Sequence, residues 1–350
     1  MSPPLLLGAD PGPVEPLTRL DLNESAYGPL PAVAAVLRAG VDDTNRYPDF
    51  LPDRTRAHIA RHMGVPDAQV TVGAGATGVA LAALQACIRR ATVRGTLHPA
   101  MVTALPTFDG YPILADMLGM RVDAVRLTAD GSVDLDAMLG AVTSETVVVV
   151  ICSPHNPTGS MVDEDDLHEF LWSLPPHVMV VFDEAYVEYT HDRPDLRWLF
   201  RVYDDILVLR TFSKAYGLAA LRVGYGVGPP ALVAAVRAFE VPFGVGSAAM
   251  AAVPVALSAD HELSLRVRSM RAEREHMADE LCSIGCPVLP SEGNFLFLPG
   301  ADGVAIGGLL RGCGVAVKQC GRSGTRITIG DRFSTDHVMA AMRMTARIAV

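Results

Sequence analysis

Three short apolar runs in the middle of the chain are each followed at once by polar residues that could do chemistry. The runs read TVVVVICSP (146–154), HVMVVFDEA (177–185) and DILVLRTFS (205–213). The polar residues at their ends are Asn156 for the first run, Asp183 and Tyr186 for the second, and Thr211, Ser213 and Lys214 for the third. Lys214 is the reactive member of this set, because a neutral amine can serve both as a nucleophile and as a base.

The three runs are typical of parallel β-strands buried on both faces, because they are short and rich in Val, Ile and Leu. Helical segments such as 161–174 lie between them, and this alternation predicts an α/β domain with a mostly parallel sheet. Ligands of such sheets gather at the carboxyl ends of the strands. We therefore expect the polar residues after the runs to lie together at one edge of one sheet.

A second, smaller domain is expected toward the carboxyl end of the chain. Residues 258–285 form one long helical pattern that Ser258 or Asp260 could cap and Gly285 could end. The Pro-rich first fifteen residues are typical of a loop. The expected division of the chain is an amino-terminal arm (1–30), a large domain (31–245) and a small α+β domain (246–350).

Composition narrows the class of partner. The 350 residues carry a formal net charge of −10, and half of them are hydrophobic. This acidic balance argues against nucleic acid or an acidic membrane surface, and no apolar stretch is long enough to cross a bilayer. The first residues lack the features of a secretory signal, so we expect a cytoplasmic protein that acts on small molecules. The six cysteines and ten histidines show no zinc spacing, which favours reduced core thiols and no metal site.

The residues after the three runs have ordinary explanations one by one, but together they match one cofactor. Alone, an Asn-Pro-Thr-Gly segment is a turn, an acidic pair caps a helix, and a lysine at a strand end is solvated. Pyridoxal phosphate needs an amine to hold its aldehyde as an imine, which Lys214 could supply. It needs a buried carboxylate beside its ring nitrogen, as Asp183 could be, and donors for its phenolate oxygen, as Asn156 and Tyr186 could be.

The phosphate of that cofactor calls for a helix amino terminus, hydroxyl groups and an arginine. The glycine turn VGAGATG (72–78) opens a helical run and supplies the first of these. The candidate phosphate ligands are the backbone of Ala76 and Thr77 and the side chains of Thr211, Ser213 and Arg222.

Longer motifs extend this pattern along nearly the whole chain. The lysine segment LRTFSKAYGLAALRVGYGVG (209–228) is the most specific of them. The others are LDLNESAYGPLP (20–31), TNRYPD (44–49), PTFDGY (106–111), SPHNPTG (153–159), VVFDEAYVEY (180–189), SEGNFLF (291–297) and TRITIG (325–330). The chain resembles the fold-type-I pyridoxal-phosphate aminotransferases, and most of all the histidinol-phosphate aminotransferases and their aromatic-aminotransferase relatives. The resemblance implies a seven-stranded sheet in the large domain.

The resemblance also implies roles for residues outside the strand ends. Phe108 would stack on the cofactor ring, although it could simply be a core residue. Tyr47 would reach the phosphate of the neighbouring subunit's cofactor, which implies a homodimer with shared sites. Arg326 would grip the substrate α-carboxylate, and Asn23 would lie at the substrate mouth unless it is a helix cap.

The chain departs from the family pattern where substrate is chosen. The segment RRATVRGTLHPAMVTAL (89–105) is longer than usual, no aromatic residue precedes Asp21, and Lys318 stands where relatives usually carry arginine. A lysine presents a point charge in place of a planar fork. We therefore expect histidinol phosphate to be a poor substrate and a non-phosphorylated amino acid to be a better one.

We therefore interpret the chain as an aminotransferase that moves an amino group between an amino acid and a 2-oxo acid. Lys214 would be its catalytic base. A specialised biosynthetic enzyme fits the altered substrate segments. Two alternatives stay open. The same residues could run a decarboxylation, elimination or oxidation, or the chain could be a regulatory ligand-binding module, which would need an attached effector domain.

Overall fold

The computed structural model describes residues 18–192 and 198–346, with side chains to residue 343. The Pro-rich first fifteen residues lie outside the described residues. The strands of the described part are β1 (Thr18–Leu20), β2 (Val70–Ala74), β3 (Ala100–Leu105), β4 (Arg121–Arg126), β5 (Thr146–Cys152), β6 (Met179–Asp183), β7 (Ile206–Thr211), β8 (Val223–Val227), β9 (Phe295–Pro299), β10 (Val315–Gln319) and β11 (Gly324–Thr328).

The α-helices alternate with the strands in the first two thirds of the chain and dominate the last third. They are α1 (Pro31–Ala39), α2 (Asp53–Met63), α3 (Gly75–Arg94), α4 (Gly110–Met117), α5 (Leu135–Gly140), α6 (Glu164–Ser173), α7 (Leu199–Val202), α8 (Pro230–Arg237), α9 (Ser247–Leu257), α10 (Asp260–Ser283), α11 (Gly300–Gly312) and α12 (Arg332–Ala346).

Seven strands form one large sheet in the order β2-β8-β7-β6-β5-β3-β4. Every neighbouring pair from β7 to β4 is parallel, whereas β8 runs antiparallel to both β2 and β7. The three apolar runs are β5, β6 and β7, and all of their residues are buried. This confirms the predicted α/β class, because strands covered on both faces need apolar side chains on both sides.

Helices cover both faces of the large sheet. Buried side chains of α3, α4 and α8 pack on one face, and those of α5 and α6 pack on the other. Helix α3 runs on to Arg94, where Gly95 ends it with a φ of 82°. The long segment 89–105 therefore forms the last turns of α3, a short loop and β3.

The second sheet has the order β1-β10-β11-β9. Strand β1 pairs in parallel with β10, with Thr18 opposite Val315, so part of the expected amino-terminal arm belongs to the sheet of the carboxyl-terminal part. One apolar core runs from this sheet to β2 and β8 of the large sheet. The domain division at residues 245 and 246 stays a prediction.

The helical pattern at 258–285 is confirmed as α10, but its predicted cap is wrong. Asp260 is the first helical residue, Ala259 holds the cap position, and no side chain caps the helix. Ser258 instead ends α9. Gly285 follows the helix with a φ of 81°, a conformation that glycine adopts without the steric cost of a Cβ atom.

The expectation of core thiols holds for two of the six cysteines. All six are free, and Cys87 and Cys152 are buried. The other four are partly or fully exposed because they lie at the ends of helices or strands. Across residues 18–192 and 198–346, no helix is both long and apolar enough to span a membrane.

Candidate active site

The carboxyl ends of β5, β6 and β7 open into a cavity of about 370 Å³ between the two sheets. Two predicted residues, Asn23 and Tyr47, do not line it. Twelve predicted residues do: Ala76, Thr77, Phe108, Asn156, Asp183, Tyr186, Thr211, Ser213, Lys214, Arg222, Lys318 and Arg326. The structure therefore brings together side chains that are distant in the sequence.

Lys214 follows β7 and reaches into the cavity. Its Nζ donates hydrogen bonds to the carbonyl oxygens of Leu22, at 3.0 Å, and Asn23, at 3.2 Å, and it lies 5.6 Å from the centre of the Tyr186 ring. Burial, followed by the nearby charge of Arg326, lowers the pKa of Lys214 to about 8. A lysine with such a pKa is neutral in a substantial fraction of molecules near neutral pH, so it can attack a carbonyl or remove a proton.

Asp183 ends β6 and is 8% exposed. Its carboxylate accepts a hydrogen bond from the Tyr111 hydroxyl at 2.5 Å and another from the Ala185 backbone at 2.9 Å. Burial raises the pKa of Asp183, whereas the bond from Tyr111 opposes that rise. Asp183 makes no salt bridge with any residue of 18–192 or 198–346. Its buried carboxylate lines the cavity and could therefore pair with a cation bound there, such as a protonated ring nitrogen.

Tyr186 and Asn156 form the side of the cavity next to Lys214. The Tyr186 hydroxyl accepts hydrogen bonds from the Nδ2 atoms of Asn23, at 3.0 Å, and Asn156, at 3.3 Å. Burial raises the pKa of Tyr186 to about 12, so the phenol keeps its proton. A phenol that accepts two bonds can still donate one to an oxygen in the cavity.

The amino terminus of α3 forms the opposite end of the cavity. No side chain caps this helix, so its first N–H groups have no side-chain acceptor, and Ala76 and Thr77 of this first turn line the cavity. The Arg222 guanidinium lies beside them, with Nη1 3.4 Å from the Ser213 hydroxyl. Gly75 has a φ of 75°, and a Cβ atom there would lie 2.5 Å from Arg222 Nη2. Helix N–H groups, a guanidinium and hydroxyls are the donors that suit a phosphate dianion.

Arg326 approaches the cavity from β11 of the smaller sheet and is 7% exposed. Its guanidinium donates to Asn156 Oδ1 at 2.5 Å and to the Asp21 carbonyl oxygen at 2.6 Å. Its buried Nε–H finds no acceptor among the described residues. A fixed guanidinium with a donor left over can bind a carboxylate.

The positions of three further predicted residues, Asn23, Phe108 and Tyr47, bear on the alternatives given for them. Asn23 is fully buried with a φ of 54°, and its side chain bonds to Tyr186 and Thr328. Asn23 does not line the cavity and is not a helix cap, and its predicted role at the substrate mouth stays a prediction. Phe108 is 37% exposed and lines the cavity, so it is no core residue. Tyr47 is 84% exposed and packs on Phe243 at 4.9 Å, away from the cavity of its own chain.

Some cavity residues were missed by reasoning from the sequence. Tyr111 belongs to the PTFDGY motif, and its ring contacts that of Phe108 with 5.7 Å between ring centres, so the motif held the signal. Asp109 forms an ion pair with Lys318. The pairing joins residues far apart in the sequence, and no local pattern predicts it. Cys320 also lines the cavity.

No group of three or more potential metal ligands of the His, Cys, Asp and Glu types occurs in the part of the chain that the structure describes. His155, the histidine nearest the motifs, is buried and bonds through Nε2 to the Pro106 carbonyl oxygen at 2.9 Å. Burial lowers the pKa of His155 to about 4. The His155 ring is thus neutral, and its hydrogen bond stabilises the turn that carries Phe108.

Comparison with known proteins adds the family. Residues 15–342 match the family of class I and II aminotransferases. An aromatic amino acid aminotransferase of Rhodococcus opacus is 39% identical over 325 residues, which are 92% of this chain and 88% of the relative. Another aromatic amino acid aminotransferase, from Thermobifida fusca, is 40% identical over 337 residues, which are 95% of this chain and 91% of the relative.

Among solved structures, a histidinol-phosphate aminotransferase of Sinorhizobium meliloti in complex with pyridoxal 5'-phosphate superposes with a TM-score of 0.85. It is 27% identical, and the match covers 96% of this chain and 92% of that one. These matches favour transamination over the alternative reactions and over a regulatory module. The polar groups of the cavity also fit the cofactor, because its lining includes the buried Asp183 carboxylate, which makes no salt bridge among the described residues, and the amino terminus of α3, which no side chain caps. The chain therefore belongs to the class I and II aminotransferases and is a fold-type-I enzyme that depends on pyridoxal 5'-phosphate.

Proposed function

We propose that this aminotransferase takes the amino group of an aromatic amino acid and passes it to a 2-oxo acid. The observation that carries the proposal is the meeting of a lysine of lowered pKa, a buried carboxylate and a buried guanidinium in one cavity. The relatives' names supply the aromatic donor. Leu22, Phe108 and Leu114 give the cavity apolar surface that suits a flat ring.

The cofactor is assigned to the cavity by the chemistry of its walls. Asp183 would hold the ring nitrogen, Tyr186 and Asn156 would bind the phenolate oxygen, and Phe108 would stack on the ring. The phosphate would be bound by a group of donors that line the same cavity and consist of Ala76, Thr77, Thr211, Ser213 and Arg222. When bound, pyridoxal phosphate supplies the carbonyl carbon that takes up the amino group and a ring that accepts an electron pair.

The chain's own residues then bind and orient the substrate. Arg326 holds the α-carboxylate of donor and acceptor alike, because its guanidinium is fixed by Asn156 and Asp21. The Lys214 amine moves the proton of the substrate α-carbon, since its lowered pKa makes the neutral form available near neutral pH. Asn23 keeps Tyr186 in place from below.

A homodimer completes the proposal. Tyr47, Phe50 and Phe243 form an exposed aromatic cluster, with Tyr47 84% and Phe50 59% exposed. Clustered exposed aromatic side chains are typical of protein interfaces. A second copy of the chain on this cluster would let Tyr47 reach the phosphate of the partner's cofactor, as the family resemblance implies.

A panel of amino donors tests the proposal. Purified protein loaded with pyridoxal phosphate is mixed with phenylalanine, tyrosine, tryptophan, leucine, aspartate or histidinol phosphate, and the product 2-oxo acid is identified by mass. We expect the highest kcat/KM for an aromatic donor. The Lys214→Ala protein is the control for non-enzymatic exchange. A clear preference for histidinol phosphate would overturn the proposal and assign the enzyme to a phosphorylated substrate.

A further inference from the structure

An ion pair in the wall of the cavity joins β10 of the smaller sheet to the amino terminus of α4. Lys318 lies on β10 of the smaller sheet, and its Nζ bonds to Oδ2 of Asp109 at the amino terminus of α4. Both residues line the cavity that holds Lys214 and Arg326. The pair therefore lies where a substrate side chain must pass.

Lys318 is placed to meet the far end of a substrate. It is directly opposite Arg326 in the antiparallel pairing of β10 with β11. Residues opposite each other in such a pair point to the same face, with Cβ atoms about 4.5–5.5 Å apart. A substrate whose α-carboxylate is bound to Arg326 thus has its side chain close to Lys318.

Among the described residues, the Asp109 carboxylate makes no hydrogen bond other than the one with Lys318. It occupies the cap position of α4, yet its side chain makes no capping hydrogen bond. Its side chain is 62% exposed, and that of Lys318 is 40% exposed. Each charge is therefore open to a ligand, and each is opposed by the other.

We propose that Asp109 determines specificity by holding Lys318 and selecting against substrates whose side chain ends in an anion. An anionic end must break this pair or approach the Asp109 carboxylate, whereas an aromatic ring meets a pair that is neutral as a whole. The inference rests on the proposed function in one respect, which is the binding of the substrate α-carboxylate by Arg326.

Two substrate analogues without an amino group test the inference by binding alone. Glutarate carries a second carboxylate, and 3-phenylpropionate carries a ring. Their dissociation constants are measured by calorimetry with the holoenzyme at low ionic strength, where exposed charges are least screened. Asp109→Asn should raise the affinity for glutarate relative to 3-phenylpropionate by roughly three- to tenfold, the effect of one partly exposed charge.

Matched variants separate selection from a structural effect. Asp109→Glu should keep the original ratio of affinities, because it keeps the charge. Asp116→Asn removes the same charge from an exposed position of α4 outside the cavity and should also keep the ratio. Lys318→Gln should weaken glutarate binding relative to 3-phenylpropionate, and Asp109→Asn should shift the ratio less in that background than in the original enzyme.

An unchanged ratio in Asp109→Asn, or an equal shift with and without Lys318, would overturn the inference. The proposed function fails separately. If Arg326→Gln leaves the binding of both analogues intact, the assigned carboxylate site is wrong. If the ratios shift as expected while aromatic amino acids are not donors, the selection by Asp109 stands and only the proposed donor is wrong.

Discussion

Lys214 and Lys318 are the only two lysines in the sequence, which makes the assignment of Lys214 open to a direct test. Borohydride treatment of the holoenzyme should fix the cofactor covalently on the peptide that contains Ser213, Lys214 and Ala215. Lys318→Arg should be labelled equally well, and Lys214→Ala should lose both the label and turnover, by several orders of magnitude, because nucleophile and base vanish together. Peptide mass spectrometry identifies the residue that carries the reduced cofactor. Label on Lys318 or on the α-amino group would contradict the assignment.

The pKa of Lys214 predicts a pH dependence with a definite sign. Because that pKa is lowered to about 8, the neutral amine becomes more abundant as pH rises through that value. The rate at which the apoprotein takes up pyridoxal phosphate should therefore rise between about pH 6 and 9 with a midpoint near 8. The charge of Arg326 lowers this pKa and that of Glu24 raises it.

Two neutralising variants should consequently move the midpoint in opposite directions. Arg326→Gln should move it to higher pH, and Glu24→Gln should move it to lower pH. Cofactor uptake is followed by absorbance in stopped flow. Shifts of the same sign in both variants would show that another group controls the midpoint.

Substitutions of Asp183 and of Tyr111 should lower the half-reaction rate to very different extents. Asp183→Ala removes the counter-charge of the ring nitrogen, so half-reaction rates should fall by several orders of magnitude with a shifted cofactor absorbance. Tyr111→Phe removes only one hydrogen bond to that carboxylate and should cost about tenfold. Near-normal rates and an unshifted spectrum in Asp183→Ala would mean that another residue holds the nitrogen.

At the residue scale, the sequence predicted which side chains line the cavity better than it predicted the contacts that those side chains make with one another. Asp183 and Lys214 could be found because each ends or follows an apolar strand, and parallel strands bring their carboxyl ends together. The bond from Tyr111 to Asp183 and the pair of Asp109 with Lys318 depend on how α4 and the second sheet are oriented. Such contacts between distant segments leave no periodic trace in the sequence.

At the scale of elements, the turn from β2 into α3 requires a glycine at position 75. Gly75→Ala places a Cβ atom 2.5 Å from Arg222 Nη2 in a residue with a φ of 75°. We expect a loss of about 1–3 kcal/mol in the free energy of unfolding and weaker cofactor binding, because Arg222 must move. Thermal unfolding of the apoprotein and titration with pyridoxal phosphate measure the two effects.

Gly78→Ala is the matched control on the same helix. A Cβ atom there would meet Ala74 at 3.4 Å, an ordinary contact, and its φ is unexceptional. Alanine favours a helix over glycine by roughly 0.5–1 kcal/mol, so this variant should be as stable as the parent or more so. Equal losses in the two variants would argue against a special role for the turn at Gly75.

The elements themselves were predictable to different degrees. Strands β5, β6 and β7 were evident from their composition, and α10 from its period and its terminal glycine. The cap of α10 was not, because the sequence offers two good cap residues, Ser258 and Asp260, whereas Ala259 between them holds the cap position and Ser258 ends α9. Strand β1 was also missed, since three residues carry too short a pattern to be recognised.

At the scale of the whole molecule, the proposed dimer predicts complementation between two defective chains. Tyr47→Ala should weaken cofactor binding in its homodimer, and Lys214→Ala should lack turnover. If Tyr47 serves the partner's site, a mixed dimer of these chains contains one site with both defects and one intact site. Unfolding and refolding an equimolar mixture should therefore restore turnover at low cofactor concentration.

The mass of the protein in solution gives a second measurement of the same prediction. Sedimentation equilibrium should show a dimer, and Phe50→Ser should weaken it because Phe50 belongs to the exposed aromatic cluster. Trp172→Ser is the control, since Trp172 is 70% exposed on α6, outside that cluster. A monomer that binds cofactor and turns over normally would contradict the shared site.

The parallel pairing of β1 with β10 sets the order in which the enzyme can be completed during synthesis. Thr18 of β1 pairs with Val315 of β10, so β1 leaves the ribosome long before its partner is made. At roughly 5–20 residues per second, the first strand waits on the order of 15–60 seconds. It tolerates the delay because it is short and only Leu20 is buried, so it exposes little that could aggregate. The backbone that follows it borders Lys214 and Arg326, and a nascent chain therefore acquires its active site only after β10 and β11 have been made.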